Sequence, residues 1–150
     1  MKTLIALGLL VFFSNLTIAQ QTTPATSATA TKAYSLTMVI HNVNNRTGKL
    51  YIGLAVDPAS FRGESKQTKT VDVTPSGEIS VVFEGLAPGR YAVRLYQDLN
   101  ANNKLDFSGQ IPAEPFGFSN ITMLMGPPDF DQSSFELNEN KSIRIGMLEM

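Results

Sequence analysis

The chain has no cysteine and a single histidine, His41, among its 150 residues. Without cysteine there is no disulfide, no thiolate metal site and no thiol nucleophile, so stability has to come from a buried core. His41 falls inside a predicted strand, and a nucleophile–base pair would have to recruit one of the scattered serines. Ser119 is the natural one to try. It sits in Gly117-Phe118-Ser119-Asn120-Ile121, which lacks the second glycine of a nucleophile elbow and is not framed by βα repeats. An excess of charge of one sign is missing too, with 12 basic residues against 13 acidic. No basic stripe with interleaved aromatics is present, which excludes nucleic acid as the partner, and a near-neutral surface gives no electrostatic pull toward an anionic membrane.

What is present begins with an export signal. Lys2 supplies the positive start, Leu4 to Phe13 form an apolar run, and Thr17-Ile18-Ala19 offers small residues where a signal peptidase reads them, so cleavage is expected after Ala19. The rival is a membrane anchor, but a span needs about 20 apolar residues and this run is broken by Ser14, Asn15 and Thr17. A periplasmic or secreted protein is therefore expected, not an integral membrane one. Residues 20–33 contain no large apolar side chain and read as a flexible linker. Residues 34–150 are the right size for one domain.

Apolar residues in this domain recur with period two almost throughout. Leu36, Met38 and Ile40 are followed, after the turn Asn44 to Gly48, by Leu50, Ile52, Leu54 and Val56, a pattern that predicts a hairpin. Val71 and Val73 are separated from Ile79, Val81 and Phe83 by Thr74-Pro75-Ser76-Gly77, another turn signal. Tyr91, Val93 and Leu95 follow the Pro88-Gly89 turn, and Phe135, Leu137, Ile143, Ile145 and Met147 close the chain. No stretch shows sustained helical spacing. The expectation is an all-β fold, a single antiparallel β-sandwich of about seven or eight strands, prealbumin-like or immunoglobulin-like. A small outer-membrane barrel would also alternate, but the second faces of these strands carry Lys49, Arg94 and Arg144 rather than a lipid-facing apolar band.

The strand from Arg90 to Tyr96 delivers an oxygen-rich loop. Asp98, Asn100, Asn102 and Asp106 stand at the first, third, fifth and ninth positions of a calcium-loop pattern, and the carbonyl of Lys104 falls at the seventh. Asn103 takes the sixth position, usually glycine, and asparagine tolerates the left-handed backbone that the tight turn requires. Gly109 stands where a bidentate glutamate would close the shell, so calcium affinity is expected in the weak extracellular class, ~10⁻⁴ to 10⁻³ M. Asparagine and aspartate also populate metal-free turns by bonding their own backbone, and calcium and a metal-free turn both stand as readings. Glu114, Asp129 or Asp131 could complete a shell by folding back. A second signal is Ile111 to Asp131, where glycines and prolines interleave with Phe116, Phe118 and Phe130 and with Glu114, Asn120 and Asp129. It reads as a ligand or partner face built from Glu114, Phe116, Phe118, Asn120 and Phe130, or as an aromatic plug for one end of the sandwich. Glu114 with Asp129 is the acid pair a hydrolase acting on an envelope or extracellular substrate would draw on.

Gly85-Leu86-Ala87-Pro88-Gly89-Arg90-Tyr91-Ala92-Val93, the Asp98 to Asp106 loop, Ile111 to Asn120 and Gly126-Pro127-Pro128-Asp129-Phe130 resemble, in the same order, the signature blocks of an uncharacterised exported bacterial family, domain of unknown function 2141. That family usually has D-x-N-x-N-G-x-x-D in the loop, and here Asn103 replaces the glycine. The resemblance implies an exported β-sandwich and no agreed activity. More distantly, the Leu-x-Pro-Gly-x-Tyr turn is similar to that of prealbumin-like and collagen-adhesin B-type repeats, mostly stalk, accessory or binding modules. The resulting expectation is a non-catalytic binding or accessory module of the cell envelope with a protein or glycan partner, the alternative being a calcium-stabilised structural domain.

Overall fold

A computed structural model describes residues 32–150. The signal segment 1–19 and the linker up to residue 31 lie outside the described residues. Period-two alternation gives seven strands of four or more residues: β1 (Tyr34–His41), β2 (Lys49–Ala55), β3 (Gln67–Asp72), β4 (Ile79–Leu86), β5 (Gly89–Asp98), β9 (Ser134–Leu137) and β10 (Lys141–Gly146). Between β5 and β9 lie β6 (Phe107–Ser108), β7 (Ile111–Pro112) and β8 (Phe116–Phe118). The described helices are short, α1 (Pro58–Arg62) and α2 (Phe130–Ser133), too short to cross a membrane.

The protein is an all-β sandwich. One sheet has the order β10-β1-β4 and the other β3-β2-β5, with β8 and β9 sharing the far edge of β5. Most pairings are antiparallel, and β1 with β10 is parallel, a departure from the purely antiparallel expectation. Leu36, Met38, Ile40, Ile79, Val81, Phe83 and Ile145 from the first sheet and Leu50, Ile52, Leu54, Val93 and Leu95 from the second belong to one buried core.

The hairpin expected from β1 into β2 does not form. β1 pairs with β4 and β10, whereas β2 pairs with β3 and β5. The turn at Asn44 to Gly48 carries the chain from one sheet to the other, and the turn at Thr74 to Gly77 does the same between β3 and β4. Alternation specifies which face of a strand is buried but not which strand lies beside it. Placing the apolar faces of β1 and β2 in opposite sheets covers both at once. Turn Leu86 to Tyr91 is pinned by the Tyr91 hydroxyl, which donates to the Ala87 carbonyl at 2.8 Å.

The outer face of the five-stranded sheet is divided in two. Near one end the small residues Ala55 and Ala92 leave room for α1 and α2, which cover them with Phe61 and Phe130 in a second apolar cluster against which Phe118 packs. α1 is held in place by Asp57, whose carboxylate accepts from the Ser60 N–H at 2.7 Å while the Ser60 hydroxyl receives the Asp57 N–H. At the other end the outward positions are Tyr51, Gly53, Arg94 and Tyr96, and among the described residues no helix covers them.

Candidate functional site

β5 ends at Asp98, which is buried, and the loop that follows winds around its carboxylate. Asp98 Oδ1 accepts from the N–H groups of Ala101 at 2.7 Å and Asn102 at 3.3 Å, and Oδ2 accepts from Asn103 at 2.8 Å. This winding needs left-handed backbone at Ala101 (φ +62°) and Asn103 (φ +63°), so the asparagine does take the conformation usually given to glycine. Asn100 Oδ1 accepts from Asn102 N–H at 3.1 Å and Asn102 Oδ1 from Lys104 N–H at 2.9 Å. Their amide nitrogens turn inward, Asn100 Nδ2 donating to Asp106 Oδ2 at 2.6 Å and Asn102 Nδ2 to both Asp106 oxygens at 3.0 and 2.8 Å. Below the loop Glu114, 6% exposed, accepts from Leu99 N–H at 2.8 Å and Asp106 N–H at 3.2 Å.

Asp98, Asn100, Asn102 and Asp106 thus converge on one loop, with Glu114 beneath it, and Lys104 contributes through its backbone N–H. As arranged, each of these side chains accepts or donates within the loop. Among the described residues no group of three or more His, Cys, Asp or Glu is placed to hold a metal ion. A cation ligated by this set would need the two amides turned over, at the cost of the N–H bonds their oxygens now accept.

The residues expected to form a ligand face are spread over three places. Glu114 faces into the loop. Phe116 and Phe118 lie on the outer face of β8, opposite Tyr96 and Arg94. Asn120 (φ +59°) donates through Nδ2 to the Ser134 carbonyl at 2.7 Å, and Phe130 is buried 6.4 Å from Phe61, under the Arg90 guanidinium. Glu114 and Asp129 serve different elements, since Asp129 caps α2 by accepting from Gln132 N–H at 2.8 Å.

The sheet instead builds a cavity that the expected list touches only at Phe116 and Phe118. About 500 Å³ of space lies over the uncovered half of the outer face, lined by Tyr51, Gly53, Arg94, Tyr96, Phe116 and Phe118 from β2, β5 and β8. Ser65, Thr68, Lys69 and Thr70 line one side, the Lys69 ammonium donating to the Val82 carbonyl, and Leu105 of the loop lines another. Tyr51 and Tyr96 are cross-strand partners whose rings stack at 5.1 Å and 7°, and the Tyr51 hydroxyl donates to Asn103 Oδ1, fixing the loop to the rim. Burial, with the charges of Asp98 and Glu114 nearby, pushes the Tyr96 phenol up. Arg94 donates through Nη2 to the Gly63 carbonyl and through Nε to Ser65 Oγ at 3.3 Å. Its guanidinium is lowered from its ordinary value by burial. Tyr51 and Tyr96 were missed because period two assigned both to the solvent side. The signal available was that these solvent-side positions hold two tyrosines, a glycine and an arginine.

The protein is thus a β-sandwich in which α1 and α2 cover one part of an outer face, with a cavity and an Asx-rich loop beside them. The chain belongs to the family described as "Uncharacterized protein conserved in bacteria (DUF2141)", whose model matches residues 38–145. No curated protein and no solved structure matches it.

Proposed function

We propose that the protein is an exported, non-catalytic binding module of the bacterial cell envelope, and that its ligand seat is the cavity over Tyr51, Arg94, Tyr96, Phe116 and Phe118. The observation that carries the reading is the cavity itself, about 500 Å³ with aromatic walls and a few fixed polar groups. Ligand sites are typically apolar clefts of roughly this size. α1 and α2 cover one half of this face, and the cavity lies over the other, with Leu105 of the loop and Ser65 of the α1–β3 connection among its lining.

A neutral apolar dye tests the seat without presuming its ligand. Nile red has about two dozen heavy atoms, which at roughly −0.3 kcal/mol per atom gives micromolar binding. Titration of the purified protein is expected to saturate at one dye per chain. Thr70 is exposed opposite Tyr51, so Thr70→Trp fills the cavity from a surface position. This variant is expected to melt like the parent and to lose dye binding. Dye that does not bind, or that binds Thr70→Trp equally well, would overturn the assignment.

A second reading, a calcium-stabilised surface domain, is favoured by one observation: the side chains of Asn100 and Asn102 both reach Asp106. Turning the two amides over presents oxygens in place of nitrogens there, with Asp106 supplying the charge. Calcium at about ten times its dissociation constant adds ~1.4 kcal/mol to the native state, a few degrees of melting temperature. The melt is compared in chelator and in millimolar calcium, for the parent and for Asp106→Ala. A calcium-specific rise absent from the variant supports this reading, and identical melts overturn it.

A further inference from the structure

Arg94 distinguishes the cavity from a simple apolar slot. The ion pairs among the described residues join Lys49 to Asp72, Arg90 to Asp131 and Glu136, and Arg144 to Glu78, and none includes Arg94. Yet Arg94 is half-buried, whereas Arg90 and Arg144 keep about half of their side chains exposed. Partial burial weakens the hydration of this charge, so a carboxylate that reaches it gains more than one meeting a fully exposed cation. Nothing in the hydrogen bonds to Gly63 and Ser65 neutralises it, since both partners are uncharged oxygens. Those two bonds hold the guanidinium on the rim and leave Nη1 with no partner among the described residues. Register places Phe118 directly opposite Arg94 and Phe116 opposite Tyr96 on the same face, so the cation borders an aromatic wall.

We propose that the cavity takes a small apolar carboxylate, its body against Tyr96, Phe116 and Phe118 and its carboxylate on the Arg94 guanidinium. The inference rests on the cavity being the ligand seat, and it adds the chemical class. A carboxylate supplies the missing negative charge, and Arg94 offers planar, preoriented N–H groups suited to receive it. Because the guanidinium is already fixed by the Gly63 carbonyl and Ser65 Oγ, little side-chain entropy is lost on binding. The same chemistry is found in a free aromatic or aliphatic acid and in the C-terminus of a peptide ending in an apolar residue.

The test displaces Nile red with matched pairs that differ only in charge. 3-Phenylpropionate is compared with 3-phenylpropionamide, and the peptide Gly-Gly-Phe with its C-terminal amide. In each pair the acid is expected to displace the dye at concentrations about tenfold or more below the neutral analogue. Tighter binding of phenylpropionate than of the peptide identifies free acids as the source, and the reverse identifies chain termini; both outcomes support the inference. Arg94→Gln is expected to abolish the difference between acid and amide, read as the ratio of their displacing concentrations on the dye-binding curve of the variant itself. Since Arg94 also clamps the segment at Gly63, Ser65→Ala is the control, loosening the clamp but keeping the charge and therefore the preference for acids. If Arg94→Gln fails to fold, the acid and amide pair on the parent protein decides alone. Equal displacement by acid and amide would overturn the carboxylate inference and leave the cavity intact as a seat. Dye that never binds removes the seat itself.

Discussion

Gly53 occupies a position on β2 where any side chain would point straight at the α1–β3 connection. A Cβ built there would lie 2.2 Å from Ser65 Oγ and 3.0 Å from Ser65 Cβ. The absence of a side chain lets Ser65 lie over the strand and receive Arg94 Nε, so one glycine allows the connection to close over the sheet and fixes the cation at the cavity rim. Gly53→Ala is expected to destabilise the protein by about 1–3 kcal/mol, the usual cost of forcing an atom into filled space. Ser65→Gly removes the obstacle, and urea denaturation of the double variant is expected to show a loss well below the sum of the two single losses. Strict additivity would mean that the two residues do not oppose each other. At this scale the loop was legible and the cavity was not. The winding of residues 98–106 is written locally, in asparagines and aspartates that bond their own backbone within a few residues. Gly53, Ser65, Arg94 and Tyr96 become neighbours only through the pairing of β2 with β5 and the fold-back after α1.

Strands were legible as elements and illegible as pairs. The apolar positions of β1, β2, β4, β5 and β10 are those on which period two insists, because each strand buries one face. What period two omits is the neighbour. Turns 44–48 and 74–77 have the composition of hairpin turns, yet each carries the chain between sheets. β10 adds to β1 in parallel, a pairing with no local signal because the two strands are nearly a domain apart in sequence. α1 is five residues long, too short to display helical periodicity; its signal was the dipeptide Asp57-Pro58, an N-cap followed by a residue favoured in the first turn. β8 illustrates tertiary control of an element. Phe116 exchanges backbone hydrogen bonds with Leu148 at 3.0 and 2.7 Å, so this three-residue strand joins the edge of the large sheet to the segment following β10. Gly117 permits the approach: a Cβ there would meet the Gly146 carbonyl at 3.0 Å and Ile145 Cγ2 at 3.2 Å.

For the whole molecule, the missing cysteine and the proposed export bear on each other. An exported chain would be free to use disulfides, but this chain has no cysteine, and its domain buries one apolar core between two sheets. Its folding therefore does not depend on an oxidising compartment. Two results follow from the proposal. Expressed in a bacterium, the full chain is expected in the periplasmic or extracellular fraction with an intact mass matching a first residue of Gln20. The same protein produced without residues 1–19 in the reducing cytoplasm is expected to unfold at the same temperature as the exported form, with or without a thiol reductant. A chain that keeps residues 1–19 and sediments with the membrane would overturn export with cleavage in favour of an anchor. A lower melt for the cytoplasmic product would mean that the envelope supplies something besides an address, and calcium at the 98–106 loop or a retained carboxylate on Arg94 would be the first bound species to seek by mass spectrometry of the exported form.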